Sequence, residues 1–97
     1  MKINKSMKDS ELVIALEGRL DTNTASDLEN EVQNLAGIKI LIFDFEKLDY
    51  ISSAGLRILL SCQKKMSIQG RMMIKNVNEA IKDVFDITGF SDILTID

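Results

Sequence analysis

Two neighbouring serines carry the most chemical promise in this chain. Ser52 and Ser53 stand in the run Asp49-Tyr50-Ile51-Ser52-Ser53-Ala54-Gly55-Leu56-Arg57, between a strongly apolar segment and an amphipathic one. A serine hydroxyl can be a nucleophile, a helix cap or a phosphate acceptor. The nucleophile reading fails on its surroundings. The chain has no histidine, so no imidazole is there to take the proton. A nucleophile elbow also needs glycine two residues before the serine as well as after it, and Ile51 occupies that place. The cap reading is the plain structural one: Ser52 as N-cap and Ser53 as first helical residue. It is compatible with the third. The first turn of a helix has free N–H groups and the positive end of the helix dipole, which together stabilise an anion such as phosphate. With Ser52 as the cap, the Ser53 hydroxyl points toward solvent.

Three carboxylates accompany the serines: Asp21, Asp44 and Asp49. Each has a structural use as well as an electrostatic one. Asp21 can cap the first helix. Asp44, read at a strand end, can bind backbone donors of the following loop. Asp49 can be an ordinary turn residue. If all three gather near the serines, the region is acidic before any phosphate arrives. The single cysteine, Cys62, falls on an inward helical stripe and reads as a small buried hydrophobe. One cysteine makes neither an internal disulfide nor a Cys-rich zinc site. Lys64-Lys65 and the acidic face of the first helix read as solvated surface, and Met66, Met72 and Met73 as core filler.

These residues have to be positioned by an alternation of strands and helices. Met1–Met7 and Glu11–Glu17 alternate with period two and read as strands joined by a turn at Lys8-Asp9-Ser10. From Ala25 the spacing changes: Ala25, Leu28, Val32, Leu35 and Ala36 share a helical face. Asp21, Thr22 and Asn23 offer caps, and Gly37 a stop. Ile38–Phe45 is almost continuously apolar and predicts a central strand covered on both faces. A second helix runs from about Ser52 to Ile68. Its buried stripe is Gly55, Leu59, Cys62 and Met66, widened by Leu56, Ile58 and Leu60. Arg71–Val77 reads as a strand. Asn78 caps a third helix with Ala80, Ile81, Val84 and Phe85 inward, stopped at Gly89, and Ile93–Ile96 reads as a last short strand. The order β-β-α-β-α-β-α-β predicts an α/β fold with a mixed sheet of about five strands and three main helices. In such sheets, partners meet the loops that follow the C-terminal ends of strands, which is where the two serines fall.

Composition narrows the function classes. With 97 residues, one domain spanning 1–97 is the expectation. Twelve basic and fifteen acidic residues leave a net charge of −3, and the basic ones are scattered. Nucleic acid is therefore not the expected partner, since phosphate backbones call for clustered Lys and Arg. No apolar run reaches the roughly 18–20 residues that span a bilayer. The polar start Met1-Lys2-Ile3-Asn4-Lys5-Ser6 is not signal-like. A cytoplasmic setting without a membrane partner is the expectation. No Gly-x-x-x-x-Gly-Lys or Gly-x-Gly-x-x-Gly motif supports nucleotide binding, and nothing calls for a metal or cofactor.

Tyr50-Ile51-Ser52-Ser53-Ala54-Gly55-Leu56-Arg57 resembles the signature of STAS-domain anti-sigma factor antagonists. Gly18-Arg19-Leu20-Asp21, Leu41-Ile42-Phe43-Asp44-Phe45 and Val84-Phe85-Asp86-Ile87-Thr88-Gly89-Phe90 resemble further segments of that family, in its order and along the whole chain. The resemblance implies a STAS fold and a non-enzymatic switch. The unphosphorylated antagonist binds an anti-sigma factor that is also a GHKL-type serine kinase, and the sigma factor is released. Phosphorylation weakens that binding, and a PP2C-type phosphatase restores it. Counting from Gly55, the acceptor falls on Ser53. Ser52 occupies a place often held by Asp and is the alternative acceptor. The family's acidic residue after the second strand falls on Asp21. The implied docking residues are Asp21, Thr22, Asp49, Ser52, Ser53, Ala54, Gly55 and Arg57. A different class of function is a scaffold subunit: some STAS-like domains dock on a membrane transporter ATPase without phosphorylation.

Overall fold

The computed structural model describes residues 1–97. Strands β1 (Lys2–Lys8) and β2 (Glu11–Leu20) form a hairpin, followed by helix α1 (Ala25–Glu31), strand β3 (Ile40–Ile51) and helix α2 (Ser53–Gln69). Strand β4 (Arg71–Lys75), helix α3 (Glu79–Thr88) and a 3-10 turn at Phe90–Asp92 complete the chain. The sheet order is β1-β2-β3-β4. β1 is antiparallel to β2, and β2, β3 and β4 are mutually parallel. The expected fifth strand reduces to a single bridge, Ile74 with Ile96. The residues before it leave α3 through the 3-10 turn, with Gly89 at φ 82°, and too few remain to build a ladder.

The helices cover one face of the sheet. Leu12, Ile14 and Leu16 of β2, Leu41, Phe43 and Phe45 of β3, and Met72 and Ile74 of β4 are buried, while the residues between them are half-exposed. This corrects the expectation that β3 is covered on both faces: Ile40 and Ile42 lie on the open side. Leu28, Leu59, Cys62, Met66, Ile81 and Phe85 close the core from the helices. Each large side chain so buried contributes roughly 1.5–3 kcal/mol. Ala80 is exposed and does not join Ile81 and Phe85.

α1 ends at Glu31 and does not reach Ala36. Val32 and Leu35 are nevertheless buried, as their spacing predicts, but on an irregular segment. Carbonyls of this irregular segment find partners on α2. Gln69 Nε2 donates to Leu35 O at 2.6 Å and Ile38 O at 2.7 Å, and Lys65 Nζ to Val32 O at 3.5 Å.

Candidate functional site

β3 continues past Phe45 to Ile51, and that extension builds the site. Five steps take β2 from Ala15 to Leu20, while β3 takes seven, from Asp44 to Ile51, to stay in register. Two extra residues are absorbed as bulges, and Asp49 is unpaired in the second, between Leu48 and Tyr50. Bulges re-aim side chains where a sheet ends. The result is that β2 and β3 finish together, with Arg19 beside Tyr50 and Leu20 beside Ile51. The Ser52 N–H then donates to Leu20 O at 2.9 Å.

That bond locks the entry to α2. Ser52 is the N-cap, with extended backbone (φ −100°, ψ 175°), and its Oγ accepts from the Gly55 N–H at 3.4 Å. Its carbonyl accepts from Leu56 N–H at 3.0 Å. Ser53 is the first helical residue and is exposed, whereas Ser52 is half-buried. No acidic residue stands in the first turn of α2, so nothing there already uses the helix dipole. Gly55 is buried against the end of β2: a Cβ at that position would lie 2.7 Å from Leu20 Cγ and 3.0 Å from Ile51 Cγ1. Glycine at this place lets α2 start close enough to the sheet for the Ser52–Leu20 bond.

Asp21 begins the turn that leaves β2. Its Oδ1 accepts from Asn23 N–H at 3.0 Å, Thr24 N–H at 3.1 Å and Thr24 Oγ1 at 3.2 Å. The Thr24 hydroxyl in turn donates to Arg19 O at 2.7 Å. The backbone N–H of Thr24, before the Thr24 hydroxyl, the Asn23 N–H and the Arg19 charge, holds the Asp21 carboxyl below its ordinary range. The N-cap of α1 is Thr24, without a side-chain cap bond. Asp21 therefore organises the turn ahead of the helix rather than capping it. Thr22 is exposed at the tip of this turn.

The rim of the sheet thus brings Asp21, Thr22, Ser52 and Ser53 together, with Asp49 exposed on the adjoining bulge. Ala54 and Arg57 follow along α2. They line a groove of about 480 Å³ between α1 and α2, with Ala25, Val32 and Ile58 among its apolar residues. Asp44 is not part of the rim. It lies seven residues before Ile51, roughly 23 Å back along an ideal strand. There it accepts from Asn76 Nδ2 at 2.9 Å and Glu46 N–H at 3.1 Å, and the Asn76 bond chiefly lowers its pKa. It anchors the exit of β4, where Asn76 takes φ 61°. The acidic character of the rim therefore rests on Asp21 and Asp49 alone. Cys62 is fully buried and its thiol is pushed up to about 11 by burial, so it is inert at neutral pH.

One feature of the rim was not legible in the residue spacing. The Arg19 guanidinium stacks over the Tyr50 ring, 4.1 Å from its centroid, and its Nε lies 3.8 Å from Asp21 Oδ2. Arg19 and Tyr50 both stand within the motifs, yet their pairing depends on the double bulge in β3, for which local periodicity carries no signal.

No helix is long and apolar enough to cross a membrane. The STAS domain model matches residues 2–97. BtrV of Bordetella bronchiseptica, named as an anti-sigma factor antagonist, is 33% identical over 99 residues, covering 99% of this chain and 85% of that protein. The anti-sigma-B factor antagonist of Bacillus subtilis is 29% identical over 103 residues, covering 99% and 92%. Among solved structures, SpoIIAA superposes in its unphosphorylated form with a TM-score of 0.79 (20% identity; 99% of this chain, 87% of that one). In its phosphorylated form the TM-score is 0.77 (20% identity; 99% and 91%). With one sheet, three helices and a family match along almost its entire length, the chain belongs to the STAS domain family.

Proposed function

We propose that this chain is an anti-sigma factor antagonist, a protein-binding switch with no catalytic activity of its own. In its unphosphorylated form it binds an anti-sigma factor that is also a GHKL-type serine kinase. Phosphate on Ser53 turns the binding off, and a PP2C-type phosphatase turns it on again, in the cytoplasm. The observation that carries this reading is the exposed Ser53 hydroxyl at the first residue of α2, beside the Ser52 cap. Two relatives matched along 99% of the chain and named as anti-sigma factor antagonists support it.

The chemistry is consistent with a switch at the surface. A phosphate on Ser53 adds about −1.5 to −2 charges at a helix end whose dipole accepts them. The fold is therefore unstrained, and the change is felt by whatever docks on Asp21, Thr22, Asp49, Ser52 and Ser53. A partner that presents carboxylates or a dry apolar contact there is repelled by several kcal/mol. Ser52 is half-buried and engaged with the Gly55 N–H, which favours Ser53 as acceptor.

The test is transfer of phosphate from ATP by the purified GHKL-type serine kinases of the source organism, assayed one by one. One phosphate on the wild type and none on Ser53→Ala is the expected result. Phosphate persisting on Ser53→Ala would move the site to Ser52. No transfer by any kinase, with a transporter ATPase co-purifying, would replace this reading with the scaffold one.

A further inference from the structure

The rim has a second side. Leu20 and Ile51 point into the core beneath α2, so their strand neighbours Arg19 and Tyr50 present their side chains to the opposite, open face. The Arg19 side chain is 60% exposed and Tyr50 is 40% exposed, yet neither is loose. The guanidinium carbon sits over the ring, 4.1 Å from its centroid, and its Nε lies 3.8 Å from Asp21 Oδ2. Its remaining N–H donors have no acceptor on the protein, and neither does the Tyr50 hydroxyl, which takes part in none of the side-chain hydrogen bonds. Asp21 Oδ1 is already used by its own turn. Arg19 is therefore the cation of this corner, paired through Nε with Asp21 Oδ2 and with Asp49 exposed on the adjoining bulge, and its other donors face outward.

We infer that Arg19 and Tyr50 form an acid-binding docking point on the open face of the sheet, which receives a carboxylate side chain of the partner kinase. Arg and Tyr are the residue types that concentrate binding energy at interfaces. A planar guanidinium matches a carboxylate through two parallel hydrogen bonds. Stacking on Tyr50 fixes the side chain in advance, so less rotamer freedom is lost on docking. The partner then grips the rim from both sides, at Ser53 on the helix side of the sheet and at Arg19 on its open face. This rests on the proposed switch and names the part of its surface that phosphate does not touch.

The experiment is titration of the kinase that phosphorylates the wild type with the unphosphorylated full chain and its Arg19→Lys, Arg19→Ala, Arg19→Glu and Tyr50→Ala variants. Circular dichroism melts check that each variant is folded. The expected order of affinity is wild type, Lys, Ala, Glu, with Arg19→Ala and Tyr50→Ala at least tenfold weaker than wild type and Arg19→Glu weaker still. Phosphorylation kinetics give the second reading: KM rises in Arg19→Ala while kcat is unchanged, since the Ser53 hydroxyl is undisturbed. Arg19→Ala within twofold of wild type, or Arg19→Glu binding as well as Arg19→Ala, overturns the docking point and leaves the switch standing. A wild type that neither binds nor accepts phosphate from any such kinase overturns both.

Discussion

At the scale of single residues, the start of α2 depends on an absence. Gly55 has no Cβ because the Leu20 and Ile51 side chains already occupy that volume, at 2.7 and 3.0 Å from where it would be. Leu20 is fully buried and has no solvent to retreat into. Gly55→Ala gains some helix propensity, but overpacking a filled core costs about 1–3 kcal/mol, and the second effect is larger. The expected result is a lower denaturation midpoint at an unchanged m-value, with weaker partner binding because α2 is pushed off the Ser52–Leu20 bond. Asp21 gives a pH signature. Its folded pKa is lowered below the ordinary 3.8 by the Thr24 and Asn23 donors and Arg19, and that of Asp44 by Asn76 and Glu46. A carboxyl with a depressed folded pKa binds its proton more readily when unfolded. Its contribution is therefore complete above pH 3.8 and is lost as pH falls through the lowered value. Asp21→Asn and Asp44→Asn should each flatten the acid limb of a stability–pH curve below about pH 4, and a limb unchanged in both variants would refute this origin.

At the scale of elements, the sequence announced what is buried better than what is regular. The α1 stripe Ala25, Leu28, Val32, Leu35 is buried throughout, yet the helix holding it stops at Glu31. The reason lies thirty-odd residues away: Gln69 Nε2 takes both Leu35 O and Ile38 O, and no periodicity near Leu35 reports a donor at Gln69. The apolar run Ile38–Phe45 stops short of the end of β3 for a related reason. Glu46, Lys47 and Asp49 look like a loop, but after Asp44 the strand pairs with β2 alone and tolerates polar residues, while Asn78 Nδ2 takes Leu48 O on the free side. By contrast, Ser52, Asn78 and Gly89 bound their helices as their residue types imply. The serines at the helix start were therefore legible locally, and the Arg19–Tyr50 pair, set by long-range register, was not. The Gln69 clamp is testable: Gln69→Ala strands the Ile38 carbonyl, while Leu35 O keeps the Ile38 N–H, and should cost about 1–3 kcal/mol, with faster amide exchange at Ile38–Ile40. Gly70 beside it admits no side chain, because a Cβ would fall 1.9 Å from the Lys39 carbonyl oxygen, and a backbone atom in that position cannot swing aside.

At the scale of the molecule, the proposed switch has to change what the surface says without changing the fold. The helices lie on one face of the sheet, β2 and β3 end at one rim, and Ser53 stands on that rim outside the core. No carboxylate occupies the first turn of α2, so a negative group on Ser53 meets an unused dipole. Asp21 and Asp49 supply opposing repulsion, but both are at the surface, where water and salt screen them, and Arg19 neutralises part of the first. The dipole term is worth about 0.3–1 kcal/mol, which is enough to hold or raise stability. Ser53→Asp should therefore melt at or a few degrees above the wild-type temperature while binding its partner at least tenfold more weakly, and the phosphorylated protein should show both effects more strongly, having more charge. Loss of binding accompanied by a drop in melting temperature would mean that the group acts by disordering α2, and the electrostatic account of the rim would then be wrong.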